Sequence, residues 1–274
     1  MRNFFEKHVI LAGVTATLAS LVLNYGVRFG TELLGISFGT TNAGFFVREF
    51  VLKVLPALAI AFAFGTIRVL QHPLRGFGKS LLSGAWILIV ATLGTYAFLS
   101  EVFEQGQRLK GVPEIIFYVL FLMMVGLSEE LLLRGTVLRL FLDHYGEKGK
   151  GMAFSVILSA ALFGLCHFSN VFSGQGLYNT ALQMIGTFMM GLLFGAVYAK
   201  RGNLYGVMVL HAIIDFMTLC ENGLLVGSSL ADAHASSEPG SLFWTLVSNG
   251  TFAIAAIVIM LHKKKDKSEK KEIC

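Results

Sequence analysis

Charge is what this chain has least of. Asp, Glu, Lys and Arg make up 14% of its 274 residues, where ordinary soluble domains carry about 25%. So few charges cannot clothe the surface of a soluble domain this size, which argues against a soluble enzyme. Disorder is excluded from the other direction: hydrophobic residues reach 55% and Phe alone occurs 24 times, whereas disordered chains are polar and poor in aromatics. Cysteine is scarce as well. Cys166, Cys220 and Cys274 form neither a paired metal motif nor a disulfide framework. No HExxH sequence occurs, and Ser128 has no base at helical spacing, which argues against a serine hydrolase. No repeat or low-complexity tract is visible. What remains is an all-α fold, a polytopic transmembrane helical bundle.

About 20 apolar residues cross a bilayer. Eight such segments are read from the sequence: 9–27, 48–67, 81–100, 114–142, 152–169, 179–199, 204–221 and 242–262. The fourth is long for one crossing, ~43 Å if fully helical, so its end is expected to project past the bilayer. The first follows a charged start but lacks a small-x-small cleavage site and reads as an uncleaved span. The stretch 222–241 reads as a loop. Gly191 and Gly195 form a GxxxG in the sixth span, read as close helix packing.

Basic residues orient the bundle. Arg2, Lys7, Arg68, Arg75, Lys79, Arg139, Lys148, Lys150, Lys200, Arg201 and six lysines after residue 262 make sixteen on one side. Arg28, Arg48, Arg108 and Lys110 make four on the other. The alternation predicts an even number of spans with both termini in the cytoplasm. The basic tail beside the last span reads as a topology signal and a contact for anionic membrane lipids. Nucleic-acid binding would want a basic face on a folded domain instead.

Charged groups within spans are costly and each invites a functional reading. Lys53 lies near the end of its span and is expected to snorkel. The others form three clusters. In Glu129-Glu130-Leu-Leu-Leu-Arg134, Glu130 and Arg134 are i, i+4 neighbours able to pair. Glu129 is turned about 100° away, available to a cavity as a free carboxylate suited to general-base work. Phe163 and His167 are one turn apart, so the ring can hold the imidazole. His211 and Asp215 share a face, where Asp215 can orient the ring or both can line an oxyanion site. For each cluster the structural alternative is a satisfied polar contact between helices. Counted from the cytoplasmic ends, Glu129 lies ~20 Å deep and His167 ~22 Å, but His211 only ~11 Å.

Taken in order, these clusters resemble the motifs of the CPBP family, also called Abi, which includes CAAX proteases and bacteriocin-processing enzymes. The pattern EExxxR stands as Glu129-Glu130…Arg134, FxxxH as Phe163…His167, and HxxxN or a variant as His211…Asp215. The resemblance implies a CPBP-type core and a glutamate-dependent intramembrane endopeptidase acting on a peptide or lipid-modified protein. It further implies that Glu129 and His167 activate a water, that His211 and Asp215 stabilise the oxyanion, and that Glu130, Arg134 and Phe163 shape the site. Domain organisation then reads as N-terminal helices over 1–108, a catalytic core over 109–222, a loop and last helix over 223–262, and a basic cytoplasmic tail over 263–274. The expected setting is a prokaryotic cytoplasmic membrane. One position departs: relatives acting on prenylated proteins usually carry Asn where Asp215 stands. An ionised carboxylate cannot donate to an oxyanion, so Asp215 is either protonated or orients His211.

Two competing readings stand beside this one. In a metal-dependent protease, Glu129, His167 and His211 would ligate zinc with one position open; otherwise no cofactor is expected. In a non-enzymatic scaffold or immunity protein, the clusters would only hold helices together. A transporter relay belongs with the latter, though no inverted repeat or broken span is visible.

Overall fold

The computed structural model describes residues 7–234 and 240–262. Arg2 and the basic tail expected over 263–274 lie outside the described residues. Among the described residues the fold is helical, with one isolated bridge between Leu109 and Leu225. In chain order the helices are α1 (Val9–Leu33), α2 (Asn42–Glu49), α3 (Leu55–Ala63), α4 (Phe77–Ser83), α5 (Ala85–Glu104), α6 (Val112–Glu130), α7 (Arg139–Tyr145), α8 (Gly149–Cys166), α9 (Leu177–Arg201), α10 (Leu204–Thr218), α11 (Cys220–Leu224) and α12 (Leu242–Leu261). Among the described residues, six helical stretches are long and apolar enough to cross a membrane: Val9–Leu33, Ala85–Glu104, Val112–Tyr145, Gly149–Ser173, Leu177–Arg201 and Leu242–Leu261. This is a multi-pass membrane protein. The other two expected spans are helical too. One is the α2–α3 stretch, which carries Arg48, Glu49 and Lys53; the other is α10, at 15 residues.

Two stretches of π-helix distinguish the bundle. Phe50–Val54 joins α2 to α3, and Leu131–Leu138 joins α6 to α7, so each pair runs as one continuous helix. π turns are rare and recur at functional sites because the widened turn re-aims side chains. Every residue from Leu131 to Leu138 is buried, so the α6–α7 helix is the axle of the bundle. Pro113 pre-sets the first turn of that helix and Glu114 complements its N-terminal dipole. Phe141 of the axle and, around it, Phe163, Leu193, Phe194, Leu210 and Ile214 belong to the main core.

Close crossings set the site's geometry. α6 meets α10 at Gly126, where an added Cβ would stand 2.6 Å from the Met208 carbonyl oxygen. At the outer end of this crossing, Tyr118 donates from its hydroxyl to the Phe216 carbonyl at 2.8 Å. Backbone cannot yield as a flexible side chain can, so Gly126→Ala should force the two helices apart. The expected cost is about 1–3 kcal/mol, read as a lowered unfolding midpoint in a detergent titration. α9 crosses α8 at Gly191, whose Cβ would lie 3.2 Å from Ala160 Cα; the GxxxG is a packing face, as its spacing predicts.

The structure also revises element edges. The third expected span breaks at Gly84, between α4 and α5, where the absent side chain admits Leu210 of α10. α11 runs from the end of the expected seventh span into the expected loop over 222–241, which also holds the short turn Leu230–His234. It is clamped to the chain before α6: Lys110 N–H donates to Leu224 O at 2.7 Å and Val226 N–H to Arg108 O at 2.9 Å. Finally, Gly135 lies opposite Leu204, the first residue of α10, whose Cδ2 stands 3.3 Å from an added Gly135 Cβ. The ten residues from 136 to 145 therefore run ~15 Å beyond the start of α10. The unequal depths counted from sequence come from helices that do not end in one plane.

Candidate active site

Local caps place the elements that carry the polar groups. Asn203 begins α10: its Oδ1 accepts from Gly206 N–H at 2.7 Å while its amide donates to the Pro73 and Arg75 carbonyls at 2.9 Å each. Asn42 begins α2 and is almost fully buried. Its side chain donates to the Glu114 and Gly223 carbonyls, and its backbone N–H to Glu114 Oε2, all at 2.9 Å. These contacts fix the registers of α2, α6 and α10, so that Glu49, Lys53, Glu129, Glu130 and His211 meet.

Glu130 is the hub of the meeting point. Its Oε1 accepts from Arg134 Nη1 at 2.8 Å and from His211 Nδ1 at 2.7 Å, and both Glu130 and Arg134 are wholly buried. Arg134 also donates to the Gly191 carbonyl at 3.2 Å. Its guanidinium lies over the Phe163 ring at 4.6 Å and the Phe194 ring at 5.4 Å; such desolvated contacts contribute about 2 kcal/mol. Phe194 in turn stacks on His211 at 5.1 Å between centroids. His211 is therefore held on its face by a ring and at Nδ1 by a carboxylate. Because Glu130 already accepts from Arg134, it is an acceptor at His211 as well, so Nδ1 is the donor.

The other nitrogen of His211 points at the working side of the cluster. Nε2 is 3.3 Å from Asp215 Oδ2 and 3.8 Å from Glu129 Oε2. A lone pair facing a carboxylate is repulsive, so one proton lies between Nε2 and Asp215, on one or the other. Glu129 is at the rim, its side chain 21% exposed. His167 starts a 3₁₀ turn at the end of α8. Its Nδ1 is 3.0 Å from the Phe163 carbonyl, and the two rings meet edge to face at 5.1 Å. The carbonyl can only accept, so Nδ1 donates and a neutral ring presents Nε2 as an acceptor. Phe163 also meets the His211 ring edge to face at 6.0 Å, which joins the His167 turn to the cluster.

All seven residues singled out from the three sequence motifs thus belong to one contiguous cluster. Two sequence readings need correction. Glu129 is not a free carboxylate, because Lys53 Nζ stands 3.6 Å from its Oε1. Lys53 does not simply snorkel, since it bridges Glu129 and Glu49 (3.2 Å). Glu49, Phe194 and the Gly191 carbonyl were missed. Glu49 and Lys53 carry the same i, i+4 signature as the other pairs, which was a usable signal; Phe194 and Gly191 carry none. For zinc, the donor set does not fit: among the described residues no three His, Cys, Asp or Glu side chains are arranged to share an ion.

Residues 110–217 match the family model described as Type II CAAX prenyl endopeptidase Rce1-like. Over that stretch, less than half of the chain, the protein is similar to this family, as the three motifs lead one to expect. The match includes Glu129 through Asp215; Glu49 and Lys53 precede it. No curated protein and no solved structure matches the chain.

Proposed function

We propose that the chain is an intramembrane endopeptidase that hydrolyses a peptide bond in a membrane-associated substrate, with Glu129 as general base. The substrate class is a prenylated CAAX-like C-terminus or a leader or bacteriocin-type peptide, and both termini of the enzyme lie in the cytoplasm. The observation that carries this reading is the approach of Glu129 Oε2 to His211 Nε2 at 3.8 Å, beside a buried Glu130 that fixes the far side of the same imidazole at 2.7 Å. It places a carboxylate and an imidazole nitrogen side by side, so that a water held by Glu129 and a carbonyl oxygen held by His211 are brought together at the rim of the cluster.

In the proposed reaction, a water donates one hydrogen bond to Glu129 and one to His167 Nε2. Glu129 takes a proton as the water oxygen adds to the scissile carbonyl carbon. The oxyanion forms beside His211, whose Nε2 shares its proton with Asp215; this gives the aspartate a role that does not require it to donate directly. Collapse of the intermediate breaks the C–N bond, and the proton held by Glu129 passes to the leaving amine. A positioned general base contributes about 10²–10⁴-fold, and an oxyanion donor about 10²–10³-fold.

The test is cleavage by the full chain in liposomes, with products located by mass spectrometry. The panel holds a farnesylated CAAX-type peptide, the same peptide without lipid, and a leader-type peptide. The reading expects cleavage at one defined bond in at least one of them. A wild-type protein that cuts none of the three contradicts it.

A further inference from the structure

The cluster holds one cation that the proposed chemistry leaves unused. Lys53 lies in the π turn Phe50–Val54, on a helix outside the family-matched segment. A lysine within an apolar helix is costly, and an i, i+4 pair with Glu49 would offset little, a few tenths of a kcal/mol. The side chain is nonetheless tied at two points, 3.2 Å from Glu49 Oε1 and 3.6 Å from Glu129 Oε1. The first tie is itself anchored: Glu49 is buried and accepts from Ser128 Oγ at 3.2 Å. Ser128 immediately precedes Glu129, so the ammonium is fixed relative to the same turn of α6 that it contacts.

The other positive groups nearby are committed. Arg134 is wholly buried and engaged by Glu130, the Gly191 carbonyl and two rings. His211 is held between Glu130 and Asp215. Lys53, by contrast, is 41% exposed and stands at the rim with Glu129. The two oxygens of Glu129 face different partners: Oε1 faces Lys53 at 3.6 Å and Oε2 faces His211 at 3.8 Å. Both distances exceed a hydrogen bond, so neither partner consumes the carboxylate's capacity to accept from a water.

We propose that Lys53 is a positioning residue of the site: the chain Glu49–Lys53–Glu129 holds one oxygen of the Glu129 carboxylate so that the other is aimed at the water and at His211. The consequence for turnover rests on the protease reading; the ion pair itself does not. A misplacement of about 1 Å in a reacting group costs about 10²-fold in rate, and that is the loss expected in kcat for Lys53→Met, with KM within roughly twofold of wild type. Lys53→Arg keeps the charge and should recover most of the rate. The role asked of Lys53 is a point charge, so the different geometry of the guanidinium matters less than its presence.

Two measurements together test this. The first is steady-state cleavage by wild type, Lys53→Met and Lys53→Arg. The second needs no turnover: infrared difference spectra, in which the Glu129 carboxylate band is identified by its loss in Glu129→Gln. That band should shift in Lys53→Met and stay near its wild-type position in Lys53→Arg. If Lys53→Met misfolds, Glu49→Gln with Lys53→Met removes the carboxylate left behind and keeps an acceptor for Ser128; the same loss of kcat is expected. A Lys53→Met protein that cleaves as wild type does, or a Glu129 band that does not move, overturns the proposal. A wild type that cleaves nothing overturns the protease reading instead, and the infrared result still decides whether Lys53 holds Glu129.

Discussion

Glu129→Gln is expected to lower the rate of peptide cleavage by about 10²–10⁴-fold and to leave the unfolding midpoint near that of wild type. The reasons lie in the geometry at the rim. Gln keeps the shape of Glu and retains an oxygen for Lys53, which also keeps Glu49 at 3.2 Å. What it loses is the ability to take a proton from water. The side chain is 21% exposed and shares no short hydrogen bond with the core, so little of the fold depends on its charge. Initial rates and detergent-titration midpoints on one preparation check both halves. A midpoint that falls along with the rate would make Glu129 a structural residue and leave the base unassigned.

Arg134→Met is expected to do the reverse, destabilising the fold by about 3–5 kcal/mol, the range for removing one partner of a buried ion pair. Arg134 and Glu130 have no exposed surface, and the carboxylate would keep only His211 as a donor. The loss should shrink when Glu130→Gln is added, because the carboxylate that needed a cation is then neutral. A detergent-unfolding series of the two single variants and the double reads the coupling. Additive losses would mean that Arg134 acts through its stacking on Phe163 and Phe194 rather than through its charge.

How far the sequence spoke for the fold and the site depended on the kind of contact. Helices were legible because about 20 apolar residues have one stable solution in a bilayer. Their edges were less so: Gly84 breaks the third span because Leu210 occupies its missing side chain, a fact of α10 and not of α5. The clusters at Glu129–Arg134, Phe163–His167 and His211–Asp215 were legible because charge at depth is rare and helical spacing pairs it locally. Local spacing explains Glu130 with Arg134. It cannot show that His211 Nδ1 closes on the same Glu130 oxygen, 81 positions along the chain. The π turns were invisible for a related reason: Lys53 in Phe50–Val54 and Arg134 in Leu131–Leu138 mark charge at depth, but nothing in either stretch marks a widened turn. Lys53 reads from sequence as a snorkelling end-of-span lysine, because its second partner, Glu129, lies on another helix.

In the proposed reaction a carboxylate, and not a metal ion, activates the water. A Glu129 substitution alone does not separate the two, since a lost zinc ligand would also silence the protein. The most direct measurement is cleavage of the responsive peptide by wild type, with Glu129→Gln as background, before and after dialysis against a strong chelator and again after zinc is returned. An unchanged wild-type rate throughout is expected, with the variant slower by about 10²–10⁴-fold in every condition. Loss of wild-type activity on chelation, with recovery on zinc, would contradict it.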